Sequence, residues 1–190
     1  TRAASAHYVV DSSGVLQCIP TVEVAFHCGD RPLGRYQRAG LNIIAGTGLT
    51  PNYFTTGIEL CVNEGGDWSK TERFGVLLAA RELVRHNLTV QSGLYRHFDI
   101  TGKMCPQMYI AEAEWGRFKA MVQTECTVLQ SRVQRRAVCN TEDTNVRNAP
   151  GMSGTVIGVL KKNEPVIITG VSGNWCEVWP GGWAHNSLLT

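Results

Sequence analysis

The pattern of the chain changes near residue 137, and this change limits the fold more than any other feature. Before this point there are two long segments with apolar residues at helical spacing, with short apolar runs ahead of them. From Ala137 onward the chain consists of short β-type segments with closely spaced glycines, the pattern of a small β-barrel. A chain of 190 residues can hold one core of moderate size and a second small module. The sequence therefore predicts two different folding units.

Short apolar segments in the first part predict β-strands. Residues 7–10 and 15–19 are rich in valine and flank "DSSG", which predicts a hairpin whose turn uses Gly14 at positive φ. The run "TTGIELCV", residues 55–62, is nearly continuous in apolar residues, as expected of a strand covered on both faces. Residues 29–53 contain five glycines and two prolines, which predicts a long loop that forms one wall of a cleft.

The first helix is predicted from about residue 70 to 87. Ser69 in "SKTE" can cap this helix. The side chain of Glu72, three residues later, is placed to accept a hydrogen bond from the backbone N–H of Ser69. Several apolar residues lie at spacings that form one helical face: Phe74, Leu77, Leu78, Val84 and Leu88.

A second helix is predicted from about residue 110 to 128, with Trp115, Phe118 and Val122 facing inward. Pro106 prevents this helix from starting earlier. Strands mixed with helices predict an α/β or an α+β layer, and we expect the α/β form, a mixed sheet flanked by helices. The tail adds a small all-β barrel.

The composition excludes several classes of function. Eighteen basic residues stand against 16 acidic ones, so we expect no nucleic-acid partner. No run of about 18 apolar residues exists, and the first residues lack a signal-peptide pattern, so we expect no membrane segment. The chain opens at Thr1 without methionine, so the missing signal is compatible with removal of an earlier segment. Seven cysteines without a C-x-x-C pair give no disulfide framework and predict mostly reduced thiols.

The segment "RHFDITGKMCP", residues 96–106, contains side chains that bind metals. His97 and Cys105 carry the imidazole and thiol groups that zinc prefers, although a catalytic zinc usually has three protein ligands. Lys103 lies two residues before the cysteine, where its ammonium could face charge developing on a substrate oxygen. The alternative is a core histidine close to a buried thiol.

Glu59 is the only charged residue within "GIELCV". Burial of an unpaired carboxylate is costly, so this residue must find a cationic partner or face a cavity. Two interpretations follow: a structural ion pair with an arginine, or a general base whose pKa is raised by apolar surroundings.

Four motifs occur in an order that resembles a known family. They are "SAHYVVDSSGVLQCIP", "EVAFHCGD", "TTGIELCVNEGGDWSKTE" and "RHFDITGKMCP". Residues 3 to 125 thereby resemble the zinc-dependent N-acetylmuramoyl-L-alanine amidases of phage endolysins and bacterial autolysins, whose fold is shared with peptidoglycan recognition proteins. The resemblance implies a peptidoglycan hydrolase that cleaves the amide between N-acetylmuramic acid and L-alanine of the stem peptide.

The resemblance also implies roles for particular residues. His97 and Cys105 match zinc ligands, Lys103 matches a residue that stabilises the oxyanion, and Glu59 matches the catalytic glutamate. Asp99 is expected to order the loop rather than to react.

Three further positions concern the cleft and the metal. His27 and Gly29 match residues that border the substrate cleft, with a structural histidine as the alternative at position 27. His7 matches a structural position. The family's third zinc ligand is a histidine on a strand upstream of "SAHY", so we expect this ligand upstream of Thr1, within about 30 to 50 earlier residues of a longer domain. Replacement of that ligand by His7 or His27 is the alternative.

The tail, with "NVRNAPGMSGTVIGVL" and "GNWCEVWPGGWAH", resembles bacterial SH3-like cell-wall-binding domains. The predicted organisation is an amidase domain over residues 1–129, a linker over 130–136 ("QSRVQRR") and this domain over 137–190. The tail residues predicted to offer aromatic area for binding the wall are Trp175, Trp179 and Trp183. A purely structural cap is the alternative for the tail.

The resemblance places the protein at the bacterial cell wall or outside the cell, with peptidoglycan as substrate and ligand. A phage protein of this kind would be made in the host cytoplasm and released at lysis. Two other functions stay open: a peptidoglycan-binding protein with an incomplete zinc site, and a cysteine peptidase that uses Cys105 and His97. The oligomeric state and the biological source are not determined by the sequence.

Overall fold

The computed structural model describes residues 4–28, 50–179 and 181–190. These residues form two compact units. The first comprises residues 1–79 and 90–123, and the second comprises residues 80–89 and 124–190. Within the described residues, every helix is too short or too polar to cross a membrane. All seven cysteines are free thiols, as the sequence predicted.

A three-stranded sheet lies in the first unit, with the order β2-β1-β3. Strands β1 (Tyr8–Asp11) and β2 (Gly14–Gln17) form the predicted antiparallel hairpin. The carboxylate of Asp11 accepts hydrogen bonds from the backbone of Ser13 and Gly14, and Gly14 has φ of +148°. Strand β3 (Ile58–Leu60) pairs in parallel with β1.

The prediction that the strand around Glu59 is covered on both faces is wrong. Ile58 and Leu60 pack against a buried cluster that includes Tyr8, Val10 and Leu78, but both stay partly exposed. Successive side chains of a strand point to opposite faces, so Glu59 lies on the other face and is exposed. Only one face of β3 is therefore covered.

Helix α1 (Trp68–Arg85) follows the prediction, but its cap does not. The side chain of Asp67 accepts a bond from the backbone N–H of Lys70 at 3.2 Å, which makes Asp67 the N-terminal cap. Ser69 lies inside the helix, and the Glu72 carboxylate accepts a bond from the hydroxyl of a tyrosine far along the chain, so the predicted capping box is wrong. Leu88 lies beyond the helix end and is exposed.

Three more α-helices lie among the described residues: α2 (Val90–Gly93), α3 (His97–Thr101) and α4 (Glu112–Gln130). The sequence did not predict α2 or α3. In α4 the inward face is confirmed, since Trp115, Phe118 and Val122 are all buried. The Tyr109 ring packs against Phe118 at a tilt of 42°, with ring centres 4.7 Å apart, which extends this aromatic core.

The second unit contains six strands in the order β4-β7-β8-β9-β5-β6, and all neighbours are antiparallel. They are β4 (Arg135–Val138), β5 (Thr144–Arg147), β6 (Val156–Leu160), β7 (Pro165–Ser172), β8 (Trp175–Val178) and β9 (Trp183–His185). Their buried side chains form one core that includes Cys139, Ile168 and Ala184. The predicted fold class, an α/β unit with a small all-β part, is confirmed.

The segment predicted as a linker, residues 130–136, belongs to regular structure at both of its ends. Gln130 ends α4, and Arg135 and Arg136 belong to β4. The backbone N–H of Gln134 also bonds to the carbonyl of Ile168 at 2.9 Å. The domain boundaries at 129 and 137 remain a prediction.

A buried ionic cluster centres on Glu82 in the second unit. Its carboxylate pairs with Arg81 at 2.9 Å, with Arg85 at 3.5 Å and with the imidazole of His86 at 3.7 Å. Arg85 also pairs with Glu164. Burial alone would raise the pKa of Glu82, but the bond from His86 and the two arginine charges outweigh it and lower the pKa to about 2.

Candidate active site

Helix α3 and the turn after it bring His97 and Cys105 together. His97 is the first residue of the helix, and Gly102 ends it in the left-handed conformation, with φ of +74°. The chain then turns back, and the backbone N–H of Phe98 donates to the carbonyl of Cys105 at 2.9 Å. This bond closes the loop beside the start of the helix. The two side chains predicted as metal ligands therefore come from one small closed unit of structure.

The buried side chain of Arg96 holds this closed loop in place. Its side chain is only 5% exposed, and its guanidinium donates to the carboxylates of Asp99 at 2.7 Å and Glu112 at 2.8 Å. It also donates to the backbone carbonyl of Tyr109 at 2.8 Å. Burial of the guanidinium alone would lower the pKa of Arg96. The hydrogen bonds to Asp99 and Glu112 and the charges of these two carboxylates outweigh this effect and raise the pKa. Asp99 therefore orders the segment, as the sequence predicted.

The electrostatic environment of the two ligand-type side chains involves both predicted catalytic residues. Burial and the charge of Lys103 lower the pKa of His97, so the imidazole is neutral near pH 7. Burial raises the pKa of the Cys105 thiol, with the charge of Lys103 opposing and that of Glu59 reinforcing the shift.

The environment of Glu59 differs from both predictions made for it. The side chain is exposed on β3, and it has no ion pair with any other described residue. Among residues 4–28, 50–179 and 181–190, no arginine forms the predicted ion pair, and the exposed side chain lacks the apolar surroundings expected of a buried base. The carboxylate is open to solvent.

His27 lies half-buried on the side of the site formed by residues 50–57. Its ring nitrogen Nε2 lies 3.2 Å from the hydroxyl of Thr55. Burial lowers the pKa of His27 to about 4; a backbone bond with Thr55 opposes the shift and two neighbouring histidines reinforce it. A side chain at Gly57 would overlap the His27 ring, so the glycine is needed for this packing. Gly29, predicted to border the cleft with His27, lies outside the described residues.

His7 is structural, in agreement with its predicted role. Its ring is fully buried, Nδ1 accepts a bond from the backbone N–H of Gly57 at 2.9 Å, and Nε2 donates to the carbonyl of Glu23 at 3.0 Å. Both ring nitrogens are therefore used. This arrangement opposes the alternative in which His7 replaces a missing metal ligand.

The fit of a zinc ion can be judged from the donor groups. His97 and Cys105 supply an imidazole and a thiol, two of the three protein ligands that a catalytic zinc usually has. In the part of the chain that the structure describes, no three His, Cys, Asp or Glu side chains form a group that could hold a metal ion. His27 therefore does not complete the site. The donor set fits zinc as part of a site, and the predicted third ligand upstream of Thr1 stays a prediction.

Two residues that support the site were not predicted from the sequence. For Arg96, the sequence shows one possible partner, Asp99, three residues later. Nothing in the sequence indicates its bonds to Tyr109 and Glu112. Asn52 is fully buried, and its side-chain oxygen accepts bonds from the backbone N–H groups of His27 and Cys28, each at 3.0 Å. No pattern in the sequence identifies this contact.

The three tryptophans of the tail are all partly exposed, and none is in the buried core of the second unit as described. Trp175 meets the ring of His185 edge-on, with ring centres 5.4 Å apart. Trp183 pairs in register with Glu177 on the neighbouring strand. Trp179 follows β8, and its indole N–H is buried without an acceptor among the described residues. Binding of the wall by these residues stays a prediction.

The chain is similar to known proteins over both of its parts. Residues 1–108 match the family described as N-acetylmuramoyl-L-alanine amidase, and residues 142–190 match the bacterial SH3 domain. These matches confirm both resemblances seen in the sequence motifs.

Several relatives share this similarity. N-acetylmuramoyl-L-alanine amidase CwlA of Bacillus subtilis (strain 168) is 24% identical over 171 residues, which cover 88% of this chain and 57% of the relative. A probable N-acetylmuramoyl-L-alanine amidase of Bacillus licheniformis is 29% identical over 167 residues, which cover 84% of this chain and 44% of the relative. The chain thus spans about half the length of these relatives. Among solved structures, a mutant endolysin from Bacillus subtilis is 29% identical, with a TM-score of 0.49 and coverage of 64% of this chain and 66% of that one.

The family match extends over more than half of the chain and includes the strand that carries Glu59 and the closed turn that carries His97, Lys103 and Cys105. With the motif order and the site geometry in agreement, the chain belongs to the N-acetylmuramoyl-L-alanine amidase family.

Proposed function

We propose that this chain hydrolyses the amide bond between N-acetylmuramic acid and L-alanine of the peptidoglycan stem peptide. The observation that carries the proposal is the closed turn that holds both His97 and Cys105, with the exposed Lys103 on the same turn. The family match supports the same reaction.

His97 and Cys105 would hold a zinc ion, together with the ligand predicted upstream of Thr1. A zinc ion bound there would lower the pKa of a water molecule and polarise the carbonyl of the scissile amide. The lowered pKa of His97 favours the neutral imidazole that metal binding requires.

Glu59 and Lys103 would carry the remaining chemistry. The Glu59 carboxylate accepts a proton from the attacking water and delivers it to the nitrogen of the leaving amine. The ammonium of Lys103 faces the oxygen of the tetrahedral intermediate and stabilises its negative charge. His27 and Gly29 border the part of the cleft that receives the substrate.

The second unit would hold the enzyme on its substrate. The match of residues 142–190 to the bacterial SH3 domain supports wall binding, and Trp175, Trp179 and Trp183 supply the exposed aromatic area. The protein would then act at the bacterial cell wall, with peptidoglycan as both substrate and ligand.

The role of Glu59 can be tested with a matched pair of substitutions. Glu59→Gln should lower release of free stem peptide from purified walls by about 10²- to 10⁴-fold, because it removes the group that transfers the proton. Glu64→Gln changes another exposed glutamate and should leave the rate unchanged. Retained release by the Glu59 variant would remove this residue from the mechanism.

A binding-only protein is the second candidate, because the described residues supply only two ligands of the three that a catalytic zinc needs. Zinc content measured by mass spectrometry, together with stem-peptide release, separates the two candidates. Bound zinc with release supports hydrolysis, and wall binding without release supports the alternative.

The cysteine peptidase alternative is disfavoured by the structure. A nucleophilic cysteine needs a lowered pKa, whereas burial raises that of Cys105. Cys105 also follows the C-terminus of α3, where no helix N-terminus can stabilise a thiolate.

A further inference from the structure

The imidazole of His97 contacts the backbone of a segment far away in the sequence. One ring nitrogen donates a hydrogen bond to the backbone carbonyl of Cys28. Burial and the charge of Lys103 lower the pKa of His97, so the ring is neutral near pH 7 and carries a single N–H group. Because the carbonyl engages this N–H, the lone pair lies on the other ring nitrogen. A metal ion binds to a histidine through such a lone pair.

The position of Cys28 is fixed by a buried amide. Asn52 is 2% exposed, and its side-chain oxygen accepts bonds from the backbone N–H groups of His27 and Cys28, each at 3.0 Å. The Cys28 thiol donates to the same oxygen at 3.1 Å. One oxygen atom thus holds two successive N–H groups and a side chain. This arrangement leaves Cys28 little freedom to turn its carbonyl away from the His97 ring.

The amide itself comes from an ordered turn. Asn52 is the middle residue of a short 3-10 helix (Pro51–Tyr53). The backbone N–H of Phe54 and the hydroxyl of Thr55 both donate to the carbonyl of Pro51, at 3.0 and 2.7 Å. These bonds close the turn around Asn52, so its side chain is presented to the backbone of residues 27 and 28 in one orientation.

We propose that Asn52 is a positioning residue, which fixes the tautomer and the orientation of the His97 ring through the backbone of Cys28. Histidines that bind metals generally donate their second ring N–H to a carbonyl or carboxylate, and loss of such a partner lowers metal affinity by about 10- to 100-fold. The inference rests on the proposed function only for the use of the other ring nitrogen, which would be to bind zinc.

The first test needs no variant. In the full chain kept in a chelator, nitrogen NMR of the His97 ring shows which ring nitrogen carries the hydrogen. We expect the same nitrogen to carry it in all molecules, and its proton to exchange slowly with water, because it is bonded to a carbonyl in a half-buried position. Resonances averaged between the two tautomers would overturn the proposal.

Asn52→Ser tests the contribution of the amide. The serine hydroxyl is shorter and cannot accept both backbone bonds, so the His97 ring should populate both tautomers. Zinc affinity, measured by competition with a coloured chelator, should fall about 10- to 100-fold. Asn52→Asp keeps an acceptor oxygen at the same reach and should restore the single tautomer. A single tautomer with unchanged zinc affinity in the serine variant contradicts the proposal.

Cys28→Ala is the matched control. It removes a buried thiol from the same contact but keeps the carbonyl of residue 28 and both backbone bonds to Asn52. Thermal stability should fall, while the tautomer of His97 and the zinc affinity should stay unchanged. A change as large as that in the serine variant would show that packing, rather than the amide, positions the ring, and would overturn the proposal.

Stem-peptide release separates this inference from the proposed function. If Asn52 holds His97 in one tautomer but the chain releases no stem peptide from walls, the positioning role stands and the proposed hydrolysis fails. If the chain releases stem peptide and the serine variant changes neither tautomer nor zinc affinity, the hydrolysis stands and the positioning role fails.

Discussion

Replacement of Arg96 by glutamine removes the guanidinium that holds α3, and with it the closed turn that carries His97 and Cys105, in place. The side chain makes charged bonds to two carboxylates and to the carbonyl of Tyr109, and only Glu112 among these partners is well exposed, at 75%. A bond from a charged donor contributes about 1.5 to 3 kcal/mol, while an exposed ion pair contributes at most about 1 kcal/mol.

Glutamine can keep one of these bonds, so we expect Arg96→Gln to cost about 3 to 5 kcal/mol in the free energy of unfolding. For a chain of this size, that cost lowers the melting temperature by about 6 to 20 °C. Because Arg96 directly precedes His97, stem-peptide release should also fall at temperatures where the variant is still folded.

Arg117→Gln is the matched control. Arg117 also pairs with two carboxylates, those of Glu72 and Glu114, but its side chain is 45% exposed. Its loss should therefore cost only about 1 kcal/mol. Thermal unfolding followed by far-UV circular dichroism, which reports mainly on α1 and α4, compares the two variants. An equal loss of stability in both would refute the argument that burial makes the Arg96 contacts strong.

Three further outcomes follow from the structure. The pKa of Glu82 is lower in the folded state, about 2, than its ordinary value of 4.5, so its contribution of about 3 kcal/mol is complete above pH 4.5 and is lost as the pH falls toward 2. Glu82→Gln should remove this loss of stability at low pH, measured by urea unfolding. An unchanged slope of the unfolding free energy against pH would contradict the argument. Gly57→Ala should destabilise the protein because the new methyl group overlaps a histidine ring, whereas Gly116→Ala in α4 meets nothing and should stabilise it by about 0.5 to 1 kcal/mol in a thermal melt. A chelator should abolish stem-peptide release and added zinc should restore it; Cys105→Ala should lower zinc content by mass spectrometry, while loss of the exposed Cys18 should have no effect.

Regular elements with a strong apolar period were predictable from the sequence. The face of α4 formed by Trp115, Phe118 and Val122 was predicted correctly because a long amphipathic helix repeats its signal over several turns. The proximity of His97 and Cys105 came from the motif resemblance. Helix α3 was not predicted because five residues are too few to show any period.

The errors arose where distant residues decide between local alternatives. Asp67 and Ser69 are both good caps, and the choice between them depends on Glu72. Glu72 is engaged by Tyr109 and Arg117, which lie 37 and 45 residues away, so it cannot return a bond to the helix start. Glu59 was expected to be buried because its neighbours are apolar, but those neighbours face the opposite side of β3.

The distribution of partners separates structural charges from reactive ones. Arg96 is nearly fully enclosed, and its donors are taken up by carboxylates and carbonyls, so its charge is fully used in holding α3. Lys103 and Glu59 are exposed and form no ion pair with any other described residue, so their charges remain available to a substrate. A charge that must stabilise a transition state has to be positioned without being neutralised beforehand. The buried arginine orders α3, which leads into the turn with Lys103, while Lys103 and Glu59 keep their charges exposed. Residue types and spacing alone do not reveal this division of roles.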